Sequence, residues 1–302
     1  MNAEQLLEAL SQLAESKNIP FETLAQATAE GLRAMVIAEL PADDAYVAID
    51  LDAAELEIEA VVGDRSELLS LDDLSRRMAD GVKRVISQAV VTAQAAILEE
   101  IAAPFVGTVV EGRINQVAEG AATVDLVLGG QYVEGILHPS EATGARLVRN
   151  RPITVLIRDQ VDISSVPRIR LTRRAPEFVA GLLARAVPAI ASGQVEIVSI
   201  AREPGVRTKV RVISREPNID PVAVVIGAGG KTIAPVIEDV APERIDVVGP
   251  GTFDEVLRAA LMPGRIIEAR VYEPEGKSPL PVVRVSTDQK DRPCSSGGTA
   301  TT

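Results

Sequence analysis

The feature that most constrains this chain is a glycine cluster between two apolar segments. The apolar run at 222–226 leads into Gly227-Ala228-Gly229-Gly230, and Lys231 follows directly. Glycine has no Cβ, so a chain of this kind can turn sharply and allows a phosphate to approach its backbone closely. We therefore expect two short helices joined by a tight loop that a phosphate can approach.

Three interpretations of this cluster are open from its residues alone. A GxxG loop between two helices is typical of the KH module, which clamps the backbone of single-stranded nucleic acid. Gly230-Lys231-Thr232 matches the end of a nucleotide-binding P-loop, but Val225 stands where that motif needs its first glycine. The glycine spacing does not fit a dinucleotide-binding fingerprint either. The third interpretation is a plain turn without a ligand.

The charge of the chain changes sign along its length, although the net charge is −12. Residues 1–104 carry 7 basic and 20 acidic side chains, a balance of −13, whereas residues 142–215 carry 14 and 5, a balance of +9. A solvated mixed surface is the simplest interpretation. A swing of this size also indicates different partners, with the basic segment suited to a polyanion such as nucleic acid.

The composition argues against several other classes of protein. A single cysteine, Cys294, permits no internal disulfide, and with one histidine the chain has no His/Cys metal cluster. There is no run of eighteen apolar residues and no signal-like start, so we expect a cytoplasmic protein without a membrane partner. The residues form no catalytic constellation, and we expect no cofactor and no metal.

The first 103 residues have the pattern of an α+β domain. Leucines at helical spacing predict helices over 3–16 and 22–40, and alternation from Tyr46 to Ile58 predicts a β-hairpin. A single apolar stripe predicts a long helix over 71–101.

Residues 104–175 change to short strands separated by glycine-rich or polar turns. Five strands in about seventy residues favour a small OB barrel, with a fragment of a β-sandwich as the alternative. The predicted strands are 105–110, 122–128, 132–137, 153–157 and 168–172.

Residues 176–250 follow the order α-β-β-α-α-β around the glycine cluster. The predicted elements are a helix over 178–190, a hairpin of strands 195–201 and 206–213, the two helices that flank the glycines, and a strand over 244–248. Residues 251–286 repeat the start of this pattern, with a helix over 253–261 and strands over 265–272 and 281–285. Residues 287–302 lack an apolar period, and we expect a disordered tail.

In this order the segments resemble the bacterial NusA family of transcription factors. The resemblance covers about residues 1–286 and rests on Ala201-Arg202-Glu203-Pro204-Gly205, Ile219-Asp220-Pro221 and Glu243-Arg244-Ile245-Asp246-Val247-Val248 around the glycine loop. Residues 134–141 resemble an S1-domain strand and turn. The resemblance implies a multidomain α+β chain with an RNA-polymerase-binding domain (1–103), an S1-type OB barrel (104–175), a type II KH domain (176–250) and an incomplete second KH domain (251–286).

This resemblance implies a non-enzymatic transcription elongation factor. Such a factor binds RNA polymerase and nascent single-stranded RNA, and it modulates pausing, termination and antitermination, with other antitermination factors as further partners. We expect a monomer. One alternative is an S1/KH RNA-binding protein of RNA decay or the ribosome without polymerase contact. Another is a nucleotide-using enzyme, against which the missing P-loop glycine and the lack of a Mg²⁺-ligand pattern argue.

The candidate RNA-binding residues fall into three groups. Backbone contacts are expected from the glycine loop, charge from the basic segment, and stacking or hydrogen bonding from three residues of the barrel. The basic strand could also be only the solvated side of a sheet. The candidates are Gly227, Ala228, Gly229, Gly230 and Lys231; Arg202, Arg207, Lys209, Arg211, Arg168, Arg170, Arg173 and Arg174; and Phe105, Tyr132 and His138.

Overall fold

A computed structural model describes residues 3–39, 43–50, 55–62, 65–72, 79–163, 166–262, 266–272 and 280–285. These residues divide into two compact units, one within 1–141 and 147–172 and the other within 142–146 and 173–302. Both units mix helices and strands, which confirms the predicted α+β class.

The described residues of the N-terminal part of the first unit form three long helices and a small antiparallel sheet. The strands pair in the order β1-β2-β3. The elements are α1 (Ala3–Lys17), α2 (Phe21–Glu39), β1 (Asp44–Asp50), β2 (Glu55–Val62), β3 (Arg65–Leu68) and α3 (Ala79–Ala102).

One apolar core joins these elements. Leu6 and Leu10 of α1 and Leu24 and Leu32 of α2 are fully buried, because their spacing places them on one face of each helix. Arg33 then ties α2 to the sheet, since its Nε donates to the carbonyl of Ala45 at 2.8 Å.

Helix α3 supplies the longest apolar stripe of this core. Val82, Ala89 and Ala93 are buried in the same cluster as the helices and the sheet. Residues 80–105 are also long and apolar enough, by length and composition alone, to cross a membrane. The core helix of a soluble protein can meet the same criteria, and one face of α3 packs into the apolar core.

The rest of the first unit is a closed five-stranded barrel, as the OB prediction required. The strands are β4 (Val109–Ala118), β5 (Ala121–Leu128), β6 (Gln131–Leu137), β7 (Pro152–Asp162) and β8 (Arg168–Thr172), in the order β4-β5-β6-β8-β7. A Cβ on Gly112 would stand 2.5 Å from a Val124 methyl, so this glycine permits β4 and β5 to pack closely.

The second unit contains the predicted α-β-β-α-α-β order. Its sheet has the order β11-β10-β9, with β10 antiparallel to β9 and parallel to β11. The elements are α4 (Pro176–Ala186), α5 (Pro188–Ala191), β9 (Val195–Glu203), β10 (Arg207–Ser214), α6 (Pro221–Ile226), α7 (Ala234–Val240) and β11 (Arg244–Val248).

Three further elements follow β11, at the positions predicted for the partial second KH domain. They are α8 (Phe253–Leu261) and the antiparallel strands β12 (Ile266–Tyr272) and β13 (Leu280–Val285). A capping box between Thr252 and Glu255 starts α8. That these elements belong to a KH domain stays a prediction, and the predicted tail at 287–302 lies outside the described residues.

The structure differs from the sequence-based expectation at several element boundaries and in one additional strand. Strand β3 was not predicted, since its four residues are all exposed and have no apolar alternation. Phe105 lies in a 3-10 turn (Ala103–Phe105), and the first barrel strand begins only at Val109. The helix predicted over 178–190 ends at Ala186, because Val187 precedes a proline and adopts an extended conformation.

Candidate nucleic-acid interface

The glycine loop joins α6 and α7 in the second unit. Asp220 caps α6 by accepting hydrogen bonds from the backbone N–H groups of Val222 and Ala223, at 2.9 and 3.2 Å. Pro221 occupies the first turn, where its missing N–H costs nothing. The helix axis changes direction by 83° across the loop.

The glycines of this loop have two distinct roles. Gly227 has φ 73°, and a Cβ there would stand 2.0 Å from the hydroxyl oxygen of Thr232, so the loop cannot close with a side chain at this position. Gly229 and Gly230 also have positive φ, but no atom lies within 4 Å of where their Cβ would be. Gly229 and Gly230 therefore leave open space on the surface of the loop.

The exposed side of the loop offers donors and a charge. Ala228, Gly229 and Lys231 are exposed. Across the part of the chain that the structure describes, the N–H groups of Ala228 and Gly229 donate no hydrogen bond, and Lys231 has no carboxylate partner. Two free N–H groups beside a cation can bind a phosphate oxygen.

The structure contains the basic face that the sequence predicts for β10. Thr208, Val210 and Val212 are fully buried, so Arg207, Lys209 and Arg211 project from the opposite side of the strand.

Asp246 of β11 lies beside two of these cations. Its carboxylate accepts from Nε of Arg207 at 2.6 Å and from Nζ of Lys209 at 3.0 Å. Burial alone would raise the pKa of Asp246, but these hydrogen bonds outweigh burial and hold the pKa below its usual range. One negative charge is therefore shared by two of the three cations.

Arg202 does not join this face. Its side chain is 1% exposed and bonds to Glu243, which is equally buried. The guanidinium also donates to the carbonyl of Ala175 at 2.7 Å and lies over the ring of Phe178. Its donors are used inside the unit, so in this structure Arg202 is not accessible to RNA.

Arg173 and Arg174 are adjacent in sequence but differ in the exposure of their side chains. Arg173 is buried, donates to the carboxylate and carbonyl of Asp239, and stacks on Phe178 at 4.7 Å. Arg174 is exposed. Of this pair, only Arg174 is placed where a ligand can reach it.

The barrel candidates are surrounded by carboxylates. Arg168 bonds to Glu134 at 3.1 Å, and Arg170 lies 3.9 Å from Asp162. His138 shares Asp162, with 3.0 Å between its Nε2 and the carboxylate. The outer surface of β6, β7 and β8 is thus a mixed network of ion pairs.

The two aromatic candidates differ in exposure. Tyr132 is the second residue of β6 and is 87% exposed, so its ring is available for stacking. It borders a groove of about 700 Å³ on the barrel. Phe105 is half-buried, and its ring lies beside Gly129 in the turn between β5 and β6.

The acidic partners of the candidate cations were not predicted from the sequence. Glu243, Asp246 and Asp239 are close in space to arginines or lysines from which they are separated by 37 to 66 residues. The only sequence signal was the Glu243-Arg244-Ile245-Asp246 segment, which supported the family resemblance but carried no assigned role.

Comparisons with known proteins agree with this architecture. The family model of the NusA-like first KH domain matches residues 173–250. The transcription termination/antitermination protein NusA of Thermus thermophilus is 28% identical over 250 residues, which cover 82% of this chain and 63% of the relative. Those of Halalkalibacterium halodurans and Bacillus subtilis are 30% and 26% identical, over 77% of this chain and 61% and 62% of theirs. These findings confirm the predicted resemblance, and the chain spans less than two thirds of the length of these relatives.

Proposed function

We propose that this chain, a relative of the NusA transcription termination/antitermination proteins with a NusA-like first KH domain, is a non-enzymatic transcription factor. It acts in the cytoplasm, binds RNA polymerase and holds nascent single-stranded RNA. Through these contacts it modulates pausing, termination and antitermination, together with other antitermination factors.

The observation that carries the RNA part of this proposal is the open glycine loop. Gly229 has a backbone conformation that favours glycine, and the space where its Cβ would be is empty. The neighbouring N–H groups and Lys231 face solvent, so an RNA backbone can approach without displacing protein atoms. A loop of this form clamps the sugar-phosphate backbone in KH modules.

Cations of the same unit extend this RNA surface. We assign direct contact to Arg174, which is exposed, and weaker attraction to Arg211, Arg207 and Lys209. Arg211 is half-buried with its Nε enclosed, and Asp246 offsets part of the charge of the other two. Arg173 and Arg202 act by holding the fold.

On the barrel, we assign base stacking to Tyr132. Arg168, Arg170, His138 and Phe105 have a secondary part, since they are ion-paired, hydrogen-bonded or half-buried.

The polymerase part of the proposal rests on the N-terminal sheet. Residues 1–104 have a balance of −13, which disfavours RNA and suits a basic protein surface. Tyr46, Glu59 and Leu68 are aligned across the three strands on one face, and Tyr46 and Leu68 are 60% and 76% exposed. Two exposed apolar side chains on either side of a carboxylate are the kind of surface that protein interfaces use.

Polymerase association and transcription together test this function. We expect the full chain to co-purify with RNA polymerase and to change the fraction of terminated transcripts in single-round transcription on a template with an intrinsic terminator. The double substitution Tyr46→Ser with Leu68→Ser should weaken co-purification and leave RNA binding intact. RNA binding with neither polymerase association nor an effect on termination would favour the RNA-decay or ribosomal alternative.

A further inference from the structure

We propose that Arg113, Arg149 and Arg151 form a second phosphate-binding site on the barrel, here termed the arginine cluster. The inference rests on the proposed RNA-binding function and extends it to three arginines of the barrel that were not among the candidates predicted from the sequence. All three side chains are exposed.

Backbone hydrogen bonds fix the position of this cluster. The N–H of Ile114 in β4 donates to the carbonyl of Arg151 at 2.9 Å, and the N–H of Asn150 donates to the carbonyl of Ile114 at 2.8 Å. Asn150 has φ 64°, a conformation that asparagine tolerates better than most residues. The turn before β7 is thereby attached to β4, and Arg149 and Arg151 project from a fixed backbone.

Arg113 completes the cluster from the neighbouring strand. It pairs with Pro152 in the β4–β7 register, and its guanidinium donates to the carbonyl of Asn150 at 2.9 Å. This bond uses one of five N–H donors and leaves the charge uncompensated. Arg113 therefore lies at the end of the β4–β7 pair, next to the turn that carries Arg149 and Arg151.

The charge of the cluster is available, unlike that of the barrel arginines predicted from the sequence. Arg168 and Arg170 have carboxylates within 4 Å, whereas none of the described carboxylates comes that close to a member of the cluster. The nearest acidic group in the strand register is Asp125, which is opposite Arg113 and accepts a hydrogen bond from Asn115. Exposed guanidinium groups without a carboxylate partner favour a phosphate ligand.

One member of the cluster, Arg113, lines the groove that contains Tyr132. Arg113 and Pro152 line this groove together with Tyr132 and Val127. A single strand could place phosphates on the arginines and a base on the exposed tyrosine ring, which is how binding proteins without sequence preference combine charge and stacking. The same groove also has carboxylates from Glu111, Asp125 and Glu134, so the free cations at its end decide whether RNA is attracted.

A salt titration with matched charge changes tests the cluster in the full chain. The probe is a fluorescent oligouridine, and the double variant is Arg149→Gln with Arg151→Gln. Loss of two phosphate contacts should weaken binding several-fold and reduce the slope of log affinity against log salt by about 1.4, because each contact with a single strand contributes about 0.7. Lys83→Gln with Arg84→Gln removes the same charge from exposed positions of α3 and should bind as the unmodified chain does.

Two further measurements distinguish a loss of phosphate contacts from a folding defect. Arg149→Lys with Arg151→Lys keeps the charge and should retain most of the salt slope. In the unmodified chain, bound oligouridine should protect Arg149 and Arg151 from modification by phenylglyoxal, as measured by mass spectrometry.

The results separate the two proposals. An unchanged slope in the Arg149/Arg151 glutamine variant, or full modification of both arginines in the complex, would overturn the arginine cluster while leaving the KH loop intact. If the unmodified chain does not bind oligouridine at low salt, both the cluster and the RNA-binding function are wrong.

Discussion

Arg202 and Glu243 form a buried ion pair with two hydrogen bonds, of 2.9 and 3.0 Å, in the interior of the KH unit. The Glu243 carboxylate also accepts from the hydroxyl of Thr208 and from the N–H of Gly205 at 2.8 Å. Four donors from the β9–β10 hairpin therefore converge on one side chain at the start of β11. This network holds the hairpin against the segment that follows the glycine loop.

Removing the charge of Glu243 should destabilise the KH unit. Glu243→Gln leaves the Arg202 guanidinium buried without its counter-ion, and we expect the free energy of unfolding to fall by about 3 kcal/mol. Denaturant titration followed by circular dichroism measures this loss. Glu196→Gln is the matched control, because its ion pair with Arg215 is exposed and should contribute less than about 1 kcal/mol. Equal losses in the two variants would contradict the structural role of the buried pair.

The same carboxylate should make stability depend on pH in acid. Burial by itself would raise the pKa of Glu243, but the hydrogen bonds from Arg202, Thr208 and Gly205 hold that pKa below its usual range. A lowered pKa stabilises the folded state at pH above the unfolded value, and this contribution is lost as the pH falls through the folded-state pKa. Below about pH 4.5 the unmodified chain should lose stability more steeply than Glu243→Gln. Parallel curves in urea titrations would contradict this.

Alanine substitutions at Gly227 and Gly229 should reduce the stability of the fold by different amounts. Gly227→Ala creates a clash with Thr232 as well as an unfavourable φ, whereas Gly229→Ala meets no atom within 4 Å. We expect Gly229→Ala to cost about 1–2 kcal/mol from its positive φ alone and Gly227→Ala to cost clearly more. Thermal unfolding followed by circular dichroism compares them. A Gly229 variant as unstable as the Gly227 variant would mean that the outer loop is not open.

Neutralising Asp246 should strengthen RNA binding. Asp246→Asn releases the charges of Arg207 and Lys209, so the basic face of β10 gains one net positive charge. If this face attracts RNA, affinity for oligouridine at low salt should rise several-fold and the salt dependence should steepen. Fluorescence anisotropy at several salt concentrations measures both. An unchanged affinity with a native circular dichroism spectrum would identify the face as only the solvated side of the sheet.

Local patterns predicted most of the fold. The alternation in β5 and β6 and the turn glycines between strands predicted the barrel, and the Asp220-Pro221 start with the glycine cluster predicted the helix–loop–helix. Both signals lie within a few residues of the structure that they specify.

The roles of the arginines could not be predicted in this way. Arg202 and Arg207 lie five residues apart, on opposite sides of a tight hairpin. Pairing with Thr208 places Arg202 on the buried face, whereas Arg207 projects from the other side. Only the strand register decides which side chain is buried. The acidic partners are also distant in sequence, because Glu243 is 41 residues from Arg202 and Asp239 is 66 residues from Arg173. Long-range pairing of charges leaves no local pattern, so all the cations looked equally available.

The most direct test of the central claim compares two double variants of the glycine loop. Ala228→Asp with Gly229→Asp places two carboxylates where the RNA phosphate should lie, and Ala228→Asn with Gly229→Asn places side chains of the same size there without charge. Both strain Gly229 equally, and Asn and Asp tolerate its φ better than other residues.

The measurement is the affinity of the full chain for oligouridine at fixed salt. We predict that the aspartate variant binds at least about tenfold more weakly than the asparagine variant, a difference of about 1.4 kcal/mol, while both keep a native circular dichroism spectrum. Equal affinities of the two variants and the unmodified chain would contradict the account, since the glycine loop would then be only a turn.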